Sequence, residues 1–100
     1  MEPKSFNPGR PLATPEALAA VPGDRILQCF EMHLRCNWGD ALPHADWRLN
    51  DAATHDGSRL FSSYWIDPLD KSKGKLWIIT EAEDDNGVRQ STTILLPENY

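Results

Sequence analysis

The hydrophobic period of this chain changes once, and that change limits the fold more than any other feature. Up to His55 the apolar residues recur at three- and four-residue spacing; from Arg59 onward they alternate. The first spacing puts residues on one face of a helix, and the second sends them to alternate faces of a strand. Helices first and strands afterwards indicate an α+β fold rather than alternating βαβ units. One hundred residues are enough for one small core and no more.

The spacing divides the chain as follows. Residues 1–13, with three prolines, read as a loosely attached Pro-rich arm, and residues 14–100 as a single α+β domain. Thr14-Pro15-Glu16 opens a helix, with Thr14 as cap, Pro15 in the first turn and Glu16 near the positive end. Pro22-Gly23 stops it. Asp24 caps a second helix to about Arg35, with Ile26, Leu27, Phe30 and Leu34 as its apolar face and Glu31–Arg35 as an exposed i,i+4 pair. Leu42-Pro43 starts a third helix to about His55. Its inner stripe is expected to be Ala45, Leu49, Ala52 and Ala53, and Asp56-Gly57 ends it.

Strands are expected at 59–66, 76–82 and 89–96, rich in Thr, Ile, Trp and Tyr. In the second, Leu76 and Ile78 face one way and Trp77 and Ile79 the other, so this strand is central and covered on both sides. Asn86-Gly87 is a strong hairpin turn. The expected architecture is two to three short N-terminal helices packed on a three-stranded antiparallel β-meander.

A formal charge of −5 argues against general nucleic-acid or anionic-membrane binding and favours a basic protein partner. The N-terminus lacks the apolar core of a signal peptide, and no run of apolar residues is long enough to span a bilayer. Cys29 and Cys36, if on one helix, lie ~10.5 Å apart along its axis. A disulfide needs Cα atoms within about 7 Å, so both are expected as thiols in a cytoplasmic protein. No metal or cofactor is expected, because there is no CxxC and His33 lacks companion ligands.

Several constellations carry chemistry. His33 with Asp40 and Asp46 has acid–base character, though a histidine near a helix C-terminus also simply complements the dipole. Trp38-Gly39-Asp40 reads as a turn with Trp38 on the core or, alternatively, as an exposed aromatic anchor. Asp46 and Asn50 lie one helical turn apart, and Trp47 between them is either a partner contact or part of the core. Arg59, Tyr64, Thr80, Glu81 and Thr93 would line a sheet surface in a metal-independent ribonuclease; alternation already sets Thr80 opposite Glu81, and cross-strand pairing of Glu81 with Arg59 or Arg89 is the plainer reading. Glu81, Glu83, Asp84 and Asp85 form an acidic run, either a solvated turn or a phosphate mimic for a basic channel.

Ala13-Thr14-Pro15 with Ala17-Leu18, His33 before Trp38-Gly39-Asp40, Asp46 with Asn50, and Arg59-Leu60-Phe61-Ser62-Ser63-Tyr64 form one set of motifs. Trp77-Ile78-Ile79-Thr80-Glu81-Ala82 and Thr92-Thr93-Ile94-Leu95-Leu96-Pro97-Glu98 with Tyr100 complete it. From about Pro11 to Tyr100 the chain thereby resembles a family of short proteins from bacterial plasmids, integrative elements and prophages. They are usually labelled plasmid-related, and some type I restriction endonuclease subunit M. The resemblance implies a mobile-element setting and no particular activity. The connection Glu83 to Gln90 is longer here than the family's tight turn.

These readings lead to a non-enzymatic accessory protein that binds another protein. Its most concrete form is an anti-restriction or anti-CRISPR inhibitor, with Trp38, Asp40, Trp47, Glu81, Glu83, Asp84 and Asp85 at the contact. The partner would be a basic nucleic-acid-binding complex, and direct nucleic-acid binding is not expected. The alternatives are a small ribonuclease and a structural accessory protein; a homodimer is compatible with each.

Overall fold

The computed structural model describes residues 5–100. It is an α+β fold with helices α1 (Pro15–Ala20), α2 (Gly23–Leu34) and α3 (His44–Asp56), and strands β1 (Arg10–Ala13), β2 (Leu60–Trp65), β3 (Lys75–Thr80) and β4 (Ser91–Leu95). No helix among the described residues is long and apolar enough to cross a membrane.

The sheet is four-stranded and mixed, in the order β1-β4-β3-β2, and not a three-stranded meander. β2, β3 and β4 form the expected antiparallel set, with Ser62 opposite Ile78 and Ile78 opposite Ile94. β1 comes from the segment expected to be a loose arm, and it pairs parallel with β4, Arg10 opposite Ser91 and Ala13 opposite Ile94. Residues 1–4 of the expected arm lie outside the described residues. Pro11 has no N–H to donate, a defect tolerated at a sheet edge. The hydrogen bonds Arg10 N–H to Gln90 O and Thr14 N–H to Ile94 O fix the ends of the strand. The ladders are also shorter than expected: Ala82 lies outside β3, and Glu83 and Arg89 form an isolated bridge beyond it.

Thr14 caps α1, its hydroxyl accepting from Ala17 N–H at 3.1 Å and donating to Asn99 at 2.9 Å. On α2 the inward side chains are Ile26, Cys29 and His33, with Phe30 half-buried. Leu27 and Leu34, expected inside, point outward, at 63% and 36% exposure. A fully buried histidine has taken the place a leucine was expected to fill. α1 and α2 pack Ala17, Val21, Ile26 and Cys29 on Tyr64, Leu76, Ile78, Ile94 and Leu96 of one sheet face. Burying each large aliphatic there contributes roughly 1.5–3 kcal/mol.

α3 is rotated from the expected stripe. Ala45 and Ala52 are exposed, and Leu49 is 68% exposed. Of the expected stripe only Ala53 is buried; Asn50 is buried beside it, and Trp47 is half-buried. The cause is the edge strand β2, against which α3 lies. The Asn50 amide accepts from Phe61 N–H at 3.0 Å and donates to Phe61 O, as a neighbouring strand would. Trp38 O accepts from Ser63 N–H, and Ala41 N–H donates to Ser63 O. The Arg25 guanidinium covers Trp65 O. The open edge, which would otherwise invite another chain, is thereby closed. Gly39 makes this approach possible: its φ is +97°, and a Cβ there would stand 2.0 Å from Ser63 O.

Candidate functional site

The residues with most apparent chemistry are inside the protein. His33 is fully buried. Its Nδ1 meets the Ser62 hydroxyl, and its Nε2 lies 2.8 Å from Thr80 Oγ1. Thr80 Oγ1 is 2.7 Å from Thr92 Oγ1, which donates to Pro8 O at 2.7 Å. That carbonyl can only accept, so the direction of the whole chain follows. Thr92 spends its proton on Pro8, hence Thr80 donates to Thr92 and accepts from His33 Nε2–H, and Nδ1 accepts from Ser62. His33 is therefore the neutral Nε2–H tautomer. Burial pulls its pKa from 6.5 down to about 3, since charge is costly away from water. Phe6 and Trp38 close over the ring edge-to-face, with centroids at 5.3 and 5.5 Å. The group is a structural tie among α2, three strands and the segment before β1.

The ribonuclease constellation does not converge. Tyr64 and Thr80 are buried on the helix side of the sheet, where the Tyr64 hydroxyl donates to Asn37 O at 2.7 Å and burial raises its pKa. Arg59, Glu81 and Thr93 belong to the opposite side. Glu81 pairs with neither arginine through its carboxylate. Arg59 instead donates to the Tyr100 hydroxyl at 2.9 Å. Arg89, only 4% exposed, donates to the carbonyls of Ser58, Glu81 and Ala53 at 2.7–3.0 Å. It thereby ties the end of α3 to the β3–β4 connection. Burial pushes the Cys29 thiol up to about 11, against the nearby Arg25. Among the described residues no three His, Cys, Asp or Glu side chains gather as a metal site. A groove lined by Pro22, Arg25, Gln28, Asp67 and Lys73 among others has its cations engaged: Arg25 with Gln28 and Trp65 O, Lys73 with Asp67.

The expected partner contacts are scattered. Trp38 is no exposed anchor: it is fully buried, and its indole N–H donates to Asp51 at 3.0 Å. Trp47 is half-buried and its N–H donates to Gly39 O at 2.9 Å. Both indoles serve the loop that seals β2. Asp40 is exposed near them. In the acidic run, Asp84 organises the turn. Its carboxylate accepts from Val88 and Asn86 N–H and from Gln90, which holds its pKa below the ordinary value. Glu81, Glu83 and Asp85 are exposed. They lie at one end of the sheet, away from Trp38 and Trp47.

The surface that does bring functional side chains together is the second face of the sheet. Alternation and register put Phe61, Ser63 and Trp65 of β2, Lys75, Trp77 and Ile79 of β3, and Thr93 and Leu95 of β4 on it. The helix-built clusters include neither Ile79 nor Leu95, yet these are 5% and 6% exposed. Their cross-strand neighbours Phe61 and Trp77 roof them. Phe61, Trp77 and Tyr100 form an edge-to-face row, with centroids 4.9 and 5.9 Å apart and interplanar angles of 71° and 74°. Arg59 lies over the Tyr100 ring at 5.7 Å, and Lys71 and Lys75 each lie 5.2 Å from the Trp65 centroid. The ring pairs contribute about 0.5–1.5 kcal/mol each, and the exposed cation–ring contacts about 0.5–1. The Ser63 hydroxyl beneath the row is a buried polar atom without a hydrogen-bond partner among the described residues.

Sequence reasoning named Arg59, Glu81 and Thr93 as sheet-surface residues and singled out none of Phe61, Trp65, Lys75, Trp77 and Tyr100 as a contact. The available signal was the alternation Phe61-x-Ser63-x-Trp65 beside Lys75-x-Trp77, which aligns large aromatics once the register is known. No protein-family model matches the chain, and no curated protein and no solved structure is similar to it.

Proposed function

We propose that this protein acts by binding rather than by catalysis, and that its binding surface is the aromatic face of the sheet. The observation that carries the reading is the Phe61–Trp77–Tyr100 row with cations at its margins. Aromatic and Arg side chains, held rigid and partly desolvated, are the kind that dominate binding energy. The buried state of His33 and the separation of Arg59 from Tyr64 and Thr80 weigh against a nuclease centre.

The resemblance to plasmid and prophage proteins supplies the setting, an accessory factor of a mobile element. Its most concrete form is an inhibitor of a restriction or CRISPR complex. The exposed carboxylates Glu81, Glu83 and Asp85 at the end of the sheet support a basic, nucleic-acid-handling partner. The test is inhibition of purified restriction and CRISPR effector complexes by the intact chain, repeated with Trp77→Ala and Tyr100→Ala. Full activity of such complexes under excess protein, with no association, refutes the defence reading. Inhibition that survives both substitutions refutes the assignment of the face.

A further inference from the structure

We infer that the aromatic face of the sheet takes a short segment of single-stranded nucleic acid, its bases against the Phe61–Trp77–Tyr100 row and its phosphates against Arg59, Lys71 and Lys75. The inference rests on the reading that this face is the binding surface, and it adds the chemistry of the occupant.

Three observations carry it. The first is composition. A ligand that satisfies this face needs flat apolar groups for the rings and negative charge for the cations in the same molecule, and a single strand presents both along its length. The second is local charge. The formal −5 belongs to the whole chain, and it is unevenly placed. Glu83, Asp84 and Asp85 lie in the β3–β4 connection, and Asp46, Asp51 and Asp56 lie on α3. On the aromatic face the strands place Arg10, Arg59 and Lys75 with Glu81, Lys71 reaches in from the β2–β3 connection, and Glu98 stands beside Lys75 at one margin. Phosphate recognition depends on such local charge. The expectation that an acidic chain avoids nucleic acid was drawn from the sum and not from this face.

The third observation is geometry. The cations flank the row without capping both of its ends: Arg59 lies over the terminal ring Tyr100, and the two lysines lie over Trp65, farther along β2 and outside the row. From Arg59 to Trp65 along β2 is ~20 Å at about 3.3 Å per residue, room for a few nucleotides. The rings are in edge-to-face contact, each steeply inclined to the next, so a base lies against an outward ring surface and not between two rings. A duplex, whose bases face inward, offers the rings nothing. None of the contacts reads a base edge, so the face discriminates strand from duplex and not one sequence from another.

The experiment is fluorescence anisotropy with the intact chain and labelled mixed-sequence DNA and RNA of about 12 nucleotides, beside the same DNA as a duplex and a polyglutamate of similar charge. Single strands are expected to bind at least ~10-fold more tightly than duplex or polyglutamate. With about three phosphates engaged, affinity falls roughly 20-fold between about 50 and 200 mM salt. Trp77→Ala is expected to weaken binding about 10-fold or more, the effect of losing a stacked base. Tyr100 is 69% exposed, so Tyr100→Ala and Arg59→Glu probe the same face even if Trp77→Ala does not fold; each is expected to weaken binding several-fold while circular dichroism stays native. Glu16→Gln, on α1 at the helix-covered side of the sheet, is expected to leave binding unchanged. Absence of strand binding at the lowest salt overturns the inference, as does binding that the face variants leave intact or a preference for polyglutamate. These outcomes leave the wider assignment standing if the face variants still abolish inhibition of a protein complex, so the two failures are distinguishable.

Discussion

Lowering the pH from neutrality should destabilise this protein first through one residue, His33. Its folded pKa of about 3 lies below the ordinary 6.5. Between these values the unfolded chain binds a proton that the native state refuses. Stability from this group is therefore complete above about pH 6.5 and is lost as pH falls toward 3, at about 1.4 kcal/mol per unit. At pH 4.5 the loss is about 3 kcal/mol, a large part of the ~5–15 typical of a domain. The hydrogen-bond chain explains why the proton is refused. A proton on Nδ1 would face the Ser62 hydroxyl, which must then turn its own proton away in a sealed pocket. Urea unfolding followed by tryptophan fluorescence between pH 7.5 and 4.5 measures the slope. Asp56, Asp70 and Asp84, held below their ordinary 3.8, give stability that is lost only as pH falls further, so the upper window belongs to His33. In His33→Gln the slope there should vanish, whatever that substitution costs at pH 7. Nitrogen NMR should show an Nε2–H imidazole that does not titrate above about pH 4. A folded-state titration near 6.5, or equal slopes in both proteins, refutes the argument.

Four further outcomes are open to the same urea assay. Arg89→Met, which takes the guanidinium from the carbonyls of Ser58, Glu81 and Ala53 and leaves Ala53 O only the Gly57 N–H, should cost about 2–3 kcal/mol. Asn50→Leu, which uncovers Phe61 N–H and O on β2, should cost about 2–4 kcal/mol, and size-exclusion chromatography should show association through the exposed edge. Gly39→Ala puts a Cβ 2.0 Å from Ser63 O at a φ of +97° and should cost about 3 kcal/mol or more. Ser63→Ala should do the reverse and stabilise by up to about 1 kcal/mol, because it removes a buried hydroxyl that has no partner among the described residues.

The sequence carried the fold class through the change of period, and the three antiparallel strands and three helices stand near where the spacing put them. It misjudged which faces turn inward. On α2 and α3 the expected stripes were the apolar ones, Leu27 with Leu34 and Ala45 with Leu49. The buried positions went to His33 and Asn50, because each satisfies strand groups that no leucine can. Such a choice depends on Ser62, Thr80 and Phe61, far away in the chain, and periodicity cannot see it. β1 was missed for a related reason: four residues with a proline carry no strand signal, and the pairing exists only because β4 offers an edge. The aromatic face was half legible. Its alternation was present in the sequence, but which of the two faces the helices would cover was not.

The parallel pairing of β1 with β4 has a consequence for the order of assembly. The bond from Thr92 to Pro8 joins groups 84 positions apart, so β1 leaves the ribosome well before the neighbour it pairs with. At roughly 5–20 residues per second that wait is on the order of 4–16 s. Meanwhile Phe6 and Leu12 have no place to go, and a proline in the waiting strand discourages it from pairing with another chain. When β4 arrives, one docking event lays the edge strand, completes the hydrogen-bond chain at Pro8 and seats Phe6 on His33 and Trp38. The enclosure of the buried histidine thus depends on the meeting of two segments that lie far apart in the chain.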